Sequence, residues 1–266
     1  MLDCYNRKIN YLRISVTDRC NLRCAYCMPA EGVALMNHSD ILSFEEITDI
    51  VKTGVRFGIN KVRITGGEPL VRKNITTLVS QLAAIEEITD LSMTTNGVLL
   101  SKFAKELVLA GLKRINISLD TTDATYYDVL TRGGNIQDVF DGIASAKEAG
   151  LNPIKINCVI KQSKTEPNAL LVKNFCEANG LSIRYIHQMS LNHGTFSTVE
   201  GGDGGNCSIC NRLRLTANGL LKPCLFNDQA YDVRKLGAEQ AFNMAIKHKP
   251  ATGTTNHTNN FSNIGG

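Results

Sequence analysis

The chain has 266 residues, of which 43% are hydrophobic and 20% are charged, and it carries a net charge of +4 with no tryptophan. This length suits one large domain, or a barrel-sized domain with a small addition. The charge is too small to indicate nucleic acid as a partner, and no stretch reaches the ~20 apolar residues of a membrane helix.

Short β-branched runs alternate with longer helical patterns over most of the chain. Strands are predicted near 11–17, 61–66, 91–95, 114–119, 154–160 and 182–188. Helices are predicted near 44–57, 73–85, 99–110, 135–149 and 165–179. This α/β alternation predicts parallel strands joined by right-handed crossovers, in a barrel or in an open doubly wound sheet.

The predicted strands have one apolar face and one face with charged and amide groups, as in Arg-Ile-Asn-Ile-Ser-Leu-Asp at 114–120. Crossover helices should cover the apolar face, which leaves the polar face toward the lumen. Eight-stranded barrels fill their lumen with branched apolar side chains, so a polar lumen predicts an incomplete, wider barrel around a polar ligand. We expect an incomplete (β/α)6 TIM-like barrel over residues 1–189 and a small C-terminal region over 190–266.

Six of the nine cysteines fall into two triplets. Cys20, Cys24 and Cys27 follow the first strand with the spacing C-x3-C-x2-C, which can hold three irons of a [4Fe-4S] cluster and leave the fourth iron open. Zinc prefers four ligands, and no nearby Cys or His completes such a set. Because the chain shows no export signal, we expect reduced, metal-binding thiols in a cytoplasmic protein.

The second triplet consists of Cys207, Cys210 and Cys224, spaced C-x2-C-x13-C after the glycine-rich segment 190–206. It could hold a second [4Fe-4S] cluster with an open iron. The alternative is a structural zinc site with a distant fourth ligand such as His248 or His257.

The turn Thr65-Gly66-Gly67-Glu68-Pro69 follows the second strand. Two glycines allow the backbone to approach a ligand closely, and Glu-Pro fixes the exit of the turn. Alone, such a turn is generic.

Together, the first triplet and the Gly-Gly-Glu-Pro turn resemble the radical S-adenosylmethionine (SAM) superfamily. The resemblance implies that SAM binds the open iron and is cleaved reductively to a 5′-deoxyadenosyl radical. It also implies a fold of the radical SAM type and a SAM site formed by Tyr26, Gly66, Gly67, Glu68, Thr94, Ser118 and Met189.

Longer strings are similar to the GTP 3′,8-cyclase family of molybdenum cofactor biosynthesis. They are Asp-Arg-Cys-Asn-Leu-Arg-Cys-Ala-Tyr-Cys-Met-Pro, Arg-Ile-Thr-Gly-Gly-Glu-Pro-Leu-Val-Arg, Cys-Asn-Arg-Leu-Arg-Leu-Thr-Ala-Asn-Gly-Leu-Leu-Lys-Pro-Cys-Leu and the terminal Gly-Gly. This resemblance implies a lyase with two [4Fe-4S] clusters and SAM that converts GTP to (8S)-3′,8-cyclo-7,8-dihydroguanosine 5′-triphosphate. The first cluster would drive SAM cleavage, and the open iron of the second would hold the guanine base.

The same resemblance assigns roles to basic residues and to the tail. The residues expected to bind the nucleotide are Arg13, Lys61, Arg63, Lys155, Arg184, Arg212 and Arg214. Those expected to take part in turnover are Arg212, Arg214, Gly265 and Gly266. The implied partners are a one-electron reductant of the flavodoxin or ferredoxin type and a downstream pterin synthase that receives the product, and the resemblance allows a homodimer.

Only residues 190–206 separate Met189 from Cys207, where the family carries a longer segment. The substrate end of the site is therefore shortened, and two alternatives stay open. One is a related radical SAM enzyme with an auxiliary cluster that acts on another nucleotide or on a peptide. The other is a noncatalytic two-cluster electron carrier, which would need neither a barrel nor an open iron.

Overall fold

The computed structural model describes residues 1–258 and 261–264. The strands are β1 Tyr11–Ser15, β2 Lys61–Thr65, β3 Asp90–Thr95, β4 Arg114–Ser118, β5 Ile154–Ile160, β6 Ser182–His187, β7 Arg212–Leu215, β8 Leu220–Lys222 and β9 Tyr231–Asp232. The helices are α1 Phe44–Arg56, α2 Ile75–Ala83, α3 Leu100–Leu109, α4 Ala124–Thr131, α5 Ile136–Glu148, α6 Pro167–Asn179, α7 Val233–Leu236, α8 Ala238–Lys247 and α9 Phe261–Ile264. Short 3-10 turns lie at His38–Asp40, Pro69–Val71 and Cys207–Ile209.

The strands form one sheet in the order β6-β5-β4-β3-β2-β1-β7-β8-β9. Strands β1 to β6 are parallel and lie within two residues of their predicted bounds. In the described part of the chain β6 pairs with β5 and otherwise forms a single bridge, between Tyr185 and Glu200. The barrel is therefore incomplete, as the polar strand faces predicted.

The five predicted helices are present as α1, α2, α3, α5 and α6. Helix α4, which precedes α5 between β4 and β5, was not predicted. Its sequence, Ala-Thr-Tyr-Tyr-Asp-Val-Leu-Thr, is rich in residues with modest helix propensity. Asp123 starts it by accepting a hydrogen bond from the backbone N–H of Tyr126 at 2.6 Å.

The C-terminal region continues the barrel sheet, which the sequence did not predict. β7 pairs in parallel with β1, with Tyr11 opposite Arg212, and β8 and β9 follow in antiparallel pairing. Residues 212–232 therefore add three strands beyond β1. Among the described residues, every helix is too short or too polar to cross a bilayer.

A large apolar core lies between the outer face of the sheet and the helices, with Leu12, Ile14 and Ile64 fully buried in it. A second, smaller apolar cluster joins Leu191, Leu225, Phe226 and Ile264. It ties α9 to the segments that follow β6 and β8. The predicted tail residues Gly265 and Gly266 lie outside the described residues.

Candidate functional site

A cavity of about 430 Å³ lies within the curve of the sheet. All six cysteines of the two triplets line it, together with inward-facing side chains of β1 to β7. Sequence reasoning placed the triplets in two regions of the chain. The structure brings both to the same space.

Helix α4 holds the loop of the first triplet. Arg132, just after this helix, donates hydrogen bonds from Nη1 to the carbonyl oxygens of Arg23 and Met28, both at 2.8 Å. Within the loop, the N–H of Cys27 donates to the carbonyl oxygen of Cys24 at 2.9 Å. These hydrogen bonds position the loop that carries the three cysteines.

The two glycines of the Gly-Gly-Glu-Pro turn pack against the backbone that leads into this loop. The N–H of Gly67 donates to the carbonyl oxygen of Thr17 at 2.8 Å, and a Cβ at Gly66 would lie 2.8 Å from that oxygen. A Cβ at Gly67 would overlap the carbonyl of Arg19. The glycines thus permit a close approach to the chain itself, and they also line the cavity.

Glu68 lies behind the cavity wall and is 1% exposed. Its carboxylate accepts hydrogen bonds from the Thr95 hydroxyl at 2.7 Å, the Asn96 N–H at 2.7 Å and the Leu70 N–H at 3.0 Å. Burial raises the pKa of Glu68 to about 7. Glu68 therefore joins the turn after β2 to the end of β3, although the resemblance placed it in direct contact with SAM.

Glu68→Gln should destabilise the protein. Each oxygen of the Glu68 side chain accepts a backbone N–H, from Leu70 or from Asn96, and an amide nitrogen cannot accept such a hydrogen bond. A lost buried hydrogen bond of this kind costs about 1–3 kcal/mol, which lowers Tm by roughly 3–10 °C. Because the pKa of Glu68 is raised on folding, its contribution to the stability of the folded protein is complete at pH values below 4.5, the ordinary pKa of a glutamate. This contribution is lost as the pH rises through about 7. Differential scanning calorimetry of iron-free protein should therefore show a larger Tm difference between wild type and variant near pH 5 than near pH 8. Equal differences at both pH values would contradict this account.

The remaining residues predicted for the SAM site, Tyr26, Thr94, Ser118 and Met189, all line the cavity. Tyr26 donates from its hydroxyl to a carboxylate oxygen of Asp120 at 2.7 Å, and burial raises the pKa of Asp120 to about 6. The Thr94 hydroxyl is buried and has no hydrogen-bond partner within the described residues. A buried hydroxyl of this kind suits a polar ligand such as SAM.

The first triplet has the properties of a metal site. Burial raises the pKa of Cys24 to about 12 and also raises the pKa values of Cys20 and Cys27, so a bound cation is needed to hold these groups as thiolates. Over 1–258 and 261–264, no three His, Cys, Asp or Glu side chains come close enough to hold a single metal ion. Three thiolates can hold three irons of a four-iron cluster and leave the fourth iron open.

The second triplet is assembled by the C-terminal strands. Cys210 comes just before β7 and Cys224 just after β8, and the antiparallel pairing of these strands brings the two together. His248 is bonded through Nδ1 to a tyrosine hydroxyl at 2.7 Å, and His257 is exposed. Within the described residues, neither histidine is grouped with the triplet into a set of three metal-ligating side chains.

A buried lysine that sequence reasoning missed lies beside the second triplet. Lys249 is 3% exposed, and its Nζ donates to the carbonyl oxygens of Arg212 and Pro223, each at 2.7 Å. Burial alone would raise the pKa of Cys210, but the Lys249 ammonium and the N–H of Arg212 hold it below its ordinary value. No periodic pattern in Ile-Lys-His-Lys-Pro distinguishes this lysine from a surface residue.

Most of the predicted substrate-binding cations meet in the cavity wall. Those that line it are Arg13, Lys61, Arg63, Arg184, Arg212 and Arg214. Burial and repulsion from Arg212 lower the pKa of Arg214 to about 10. Burial and neighbouring guanidinium groups lower the pKa of Arg63 as well. Such crowded cations favour an anionic ligand.

Lys155 does not line the cavity, although the resemblance placed it with the other cations. Among the strand residues that line it without having been predicted are Tyr11, Asp90 and Arg114. Arg114 forms a bidentate pair with Asp90 at 2.6 and 2.7 Å, and Tyr11 lies between Arg63 and Arg212, 5.6 and 5.7 Å from their guanidinium carbons. Strand alternation could have found all three, because each occupies the inward-facing parity of its strand.

The comparisons with known proteins agree with this geometry. Residues 14–166 match the model of the radical SAM superfamily. A GTP 3′,8-cyclase of Thermodesulfovibrio yellowstonii is 41% identical over 311 aligned positions, which cover 97% of each chain. The chain belongs to the GTP 3′,8-cyclase family of radical SAM proteins. The enzyme of the same name from Moorella thermoacetica is 41% identical over 94% of each chain. Proteins of this family use [4Fe-4S] clusters and SAM.

Solved structures support the fold of this radical SAM protein. The SAM-bound SuiB of Streptococcus suis superposes with a TM-score of 0.63 at 18% identity, over 86% of this chain and 64% of that one. The 311 aligned positions of the Thermodesulfovibrio relative exceed the 266 residues of this chain. The relative thus carries residues without a counterpart in this chain.

Proposed function

We propose that this radical SAM protein converts GTP to (8S)-3′,8-cyclo-7,8-dihydroguanosine 5′-triphosphate, the first step of molybdenum cofactor biosynthesis. The observation that carries the proposal is the shared cavity. It joins the first triplet and the candidate SAM residues to a wall of cations and to the second triplet. A simple electron carrier would have no use for such a space.

On the cofactor side, Cys20, Cys24 and Cys27 would hold the first cluster. Tyr26, Gly66, Gly67, Thr94, Ser118 and Met189 would contact SAM. Glu68 would act by fixing the turn at Gly66 and Gly67 rather than by direct contact. When bound, the cluster and SAM would supply, with one electron from an external reductant, the radical chemistry that removes a hydrogen atom from the substrate ribose.

On the substrate side, the cations of the wall would bind the triphosphate, because forked guanidinium groups match phosphate oxygens. Cys207, Cys210 and Cys224 would hold a second [4Fe-4S] cluster, and its open iron would supply a binding position for the base. Arg212 and Arg214 would hold the substrate during turnover. Lys155, outside the cavity lining, would contribute only its charge.

The partners and the compartment follow from this chemistry. A one-electron reductant of the flavodoxin or ferredoxin type would feed the first cluster, and a pterin synthase would receive the product. The reduced thiols favour the cytoplasm. We also propose that residues 1–189 carry the SAM chemistry and that 190–266 carry the auxiliary cluster. Size measurements in solution would show whether the chain forms a homodimer.

One anaerobic incubation tests the proposal directly. Reconstituted protein is mixed with SAM, dithionite and GTP, and products are read by mass spectrometry, with ATP and without nucleotide as controls. The expected result is the cyclised triphosphate from GTP only, from protein with about eight irons per chain. Production of 5′-deoxyadenosine without any GTP product would favour the alternative, a radical SAM enzyme that acts on another nucleotide or on a peptide.

A truncation tests the tail that the resemblance assigns to turnover. Phe261 lines the cavity and Ile264 is fully buried beside Leu225, so the residues before Gly265 approach the site. Removing Gly265 and Gly266 should keep both clusters and nucleotide binding but lower product formation by at least roughly tenfold, or ~1.4 kcal/mol. Gly265→Ala with Gly266→Ala, which keeps the length, is the matched comparison. Full activity in the truncated chain would show that the tail has no part in turnover.

A further inference from the structure

Lys249 connects the two segments that carry most of the second triplet. Its ammonium donates to the carbonyl oxygen of Arg212, two residues after Cys210, and to that of Pro223, directly before Cys224. Both N···O distances are 2.7 Å, and the side chain is almost completely buried. These two hydrogen bonds therefore hold the ammonium group of Lys249 beside the segments of Cys210 and Cys224.

This charge has no carboxylate partner in the part of the chain that the structure describes. None of the ion pairs there includes Lys249. The two oxygen atoms that accept its hydrogen bonds belong to neutral carbonyls. A buried ammonium without a counter-charge is strongly unfavourable, so such a group indicates an anion at the site.

A second buried cation nearby offers a contrast. Arg7, 7% exposed, donates from Nη1 to the carbonyl oxygen of Cys207 at 2.8 Å, so it also anchors the triplet through a carbonyl. However, its Nε lies 2.6 Å from the carboxylate of Asp3. Arg7 and Asp3 form a neutral pair, and Lys249 does not belong to one.

We propose that Lys249 is the counter-cation of the anionic iron-sulfur group held by Cys207, Cys210 and Cys224, and that it makes this group easier to reduce. Three thiolates around a four-iron core leave a net negative charge, and each added electron increases it. A fixed ammonium beside the sulfurs stabilises the reduced form more than the oxidised form. The proposal rests on the second cluster of the proposed function, and Lys249 acts through that cluster as a positioning residue.

The test measures a potential and needs no turnover. In the full chain with Cys20, Cys24 and Cys27 replaced by alanine, only the second cluster remains. Its midpoint potential is determined by an electron paramagnetic resonance titration without nucleotide. The variants are Lys249→Gln, which keeps a donor for the carbonyls but loses the charge, and Lys249→Arg, which keeps the charge. The double variant Asp3→Asn with Arg7→Met removes a neutral pair that also holds a carbonyl.

Lys249→Gln should shift the potential to a more negative value, Lys249→Arg should stay near wild type, and the double variant should shift it less than Lys249→Gln. Loss of iron from Lys249→Gln alone, with retention in Lys249→Arg, would support the same role. The proposal would be overturned if the potential of Lys249→Gln is unchanged, or if Lys249→Gln and the double variant shift the potential equally. Lys249 would then only hold the two backbone segments together. Absence of iron at the second triplet of the parent chain would overturn it too. If the potential shifts as expected but GTP is not converted, the proposed function fails and this inference stands.

Discussion

Cys24→Ala is expected to abolish reductive cleavage of SAM and to remove about four irons per chain, with the iron of the second triplet retained. Cys24 lies in the middle of the first triplet, and its carbonyl oxygen accepts the N–H groups of Cys27 and Met28. The formation of 5′-deoxyadenosine, measured by chromatography, should fall by at least roughly 1,000-fold, or about 4 kcal/mol.

Cys4→Ala is the matched control for this variant. Cys4 is exposed, lies outside both triplets and donates from its thiol only to the carbonyl oxygen of Lys247, at 3.2 Å. The same chemical change should here leave iron content and SAM cleavage near the wild-type values. If Cys24→Ala forms 5′-deoxyadenosine as fast as Cys4→Ala, the first triplet is not the site of SAM cleavage.

The barrel could be predicted because its strands repeat a simple pattern. β-branched runs of five to seven residues, joined by helical stretches, mark β1 to β6. The strands β7, β8 and β9 have four, three and two residues, which is too short for an alternating pattern to stand out. Their position depends on β7 pairing with β1, at the other end of the chain. The residues next to β7 in the sequence therefore do not predict that it pairs with β1.

The site was predictable where strand parity or motif spacing decides the direction of a side chain. Arg13, Arg63 and Arg214 occupy equivalent positions of neighbouring strands, so alternation alone places them on one face. Alternation predicts the face on which a side chain lies, but it does not predict whether that position along the strand reaches the cavity. Lys155 has the expected parity, opposite Asn116, but does not line the cavity. The roles of Glu68 and Lys249 depend on backbone donors and acceptors from distant segments, which the folded chain alone reveals.

Arg212→Ala is expected to weaken nucleotide binding roughly 10- to 100-fold and to reduce product formation by about 100-fold or more. Arg212 lies at the start of β7 with its guanidinium carbon 5.7 Å from the ring of Tyr11, in the wall of the cavity. No carboxylate of the described residues forms an ion pair with it. Its charge is therefore available to a phosphate, and a charged hydrogen bond contributes about 1.5–3 kcal/mol. Calorimetric titration with GTP and mass spectrometry of the product would measure both effects.

Two further variants separate charge, shape and stability. Arg56→Ala removes an exposed arginine of α1 that is 3.6 Å from Glu239, and it should change neither binding nor activity. Arg212→Lys keeps the charge without the fork, so it should recover only part of the lost binding. Iron content and Tm should stay near wild type in all three variants, because the Arg212 side chain contacts the ligand rather than the core.

If Arg212→Ala binds GTP as tightly as Arg56→Ala does, the cations of the cavity wall do not hold the triphosphate. If wild type binds ATP as tightly as GTP, the base is not read, and a radical SAM reaction on another substrate becomes the better explanation of the shortened site.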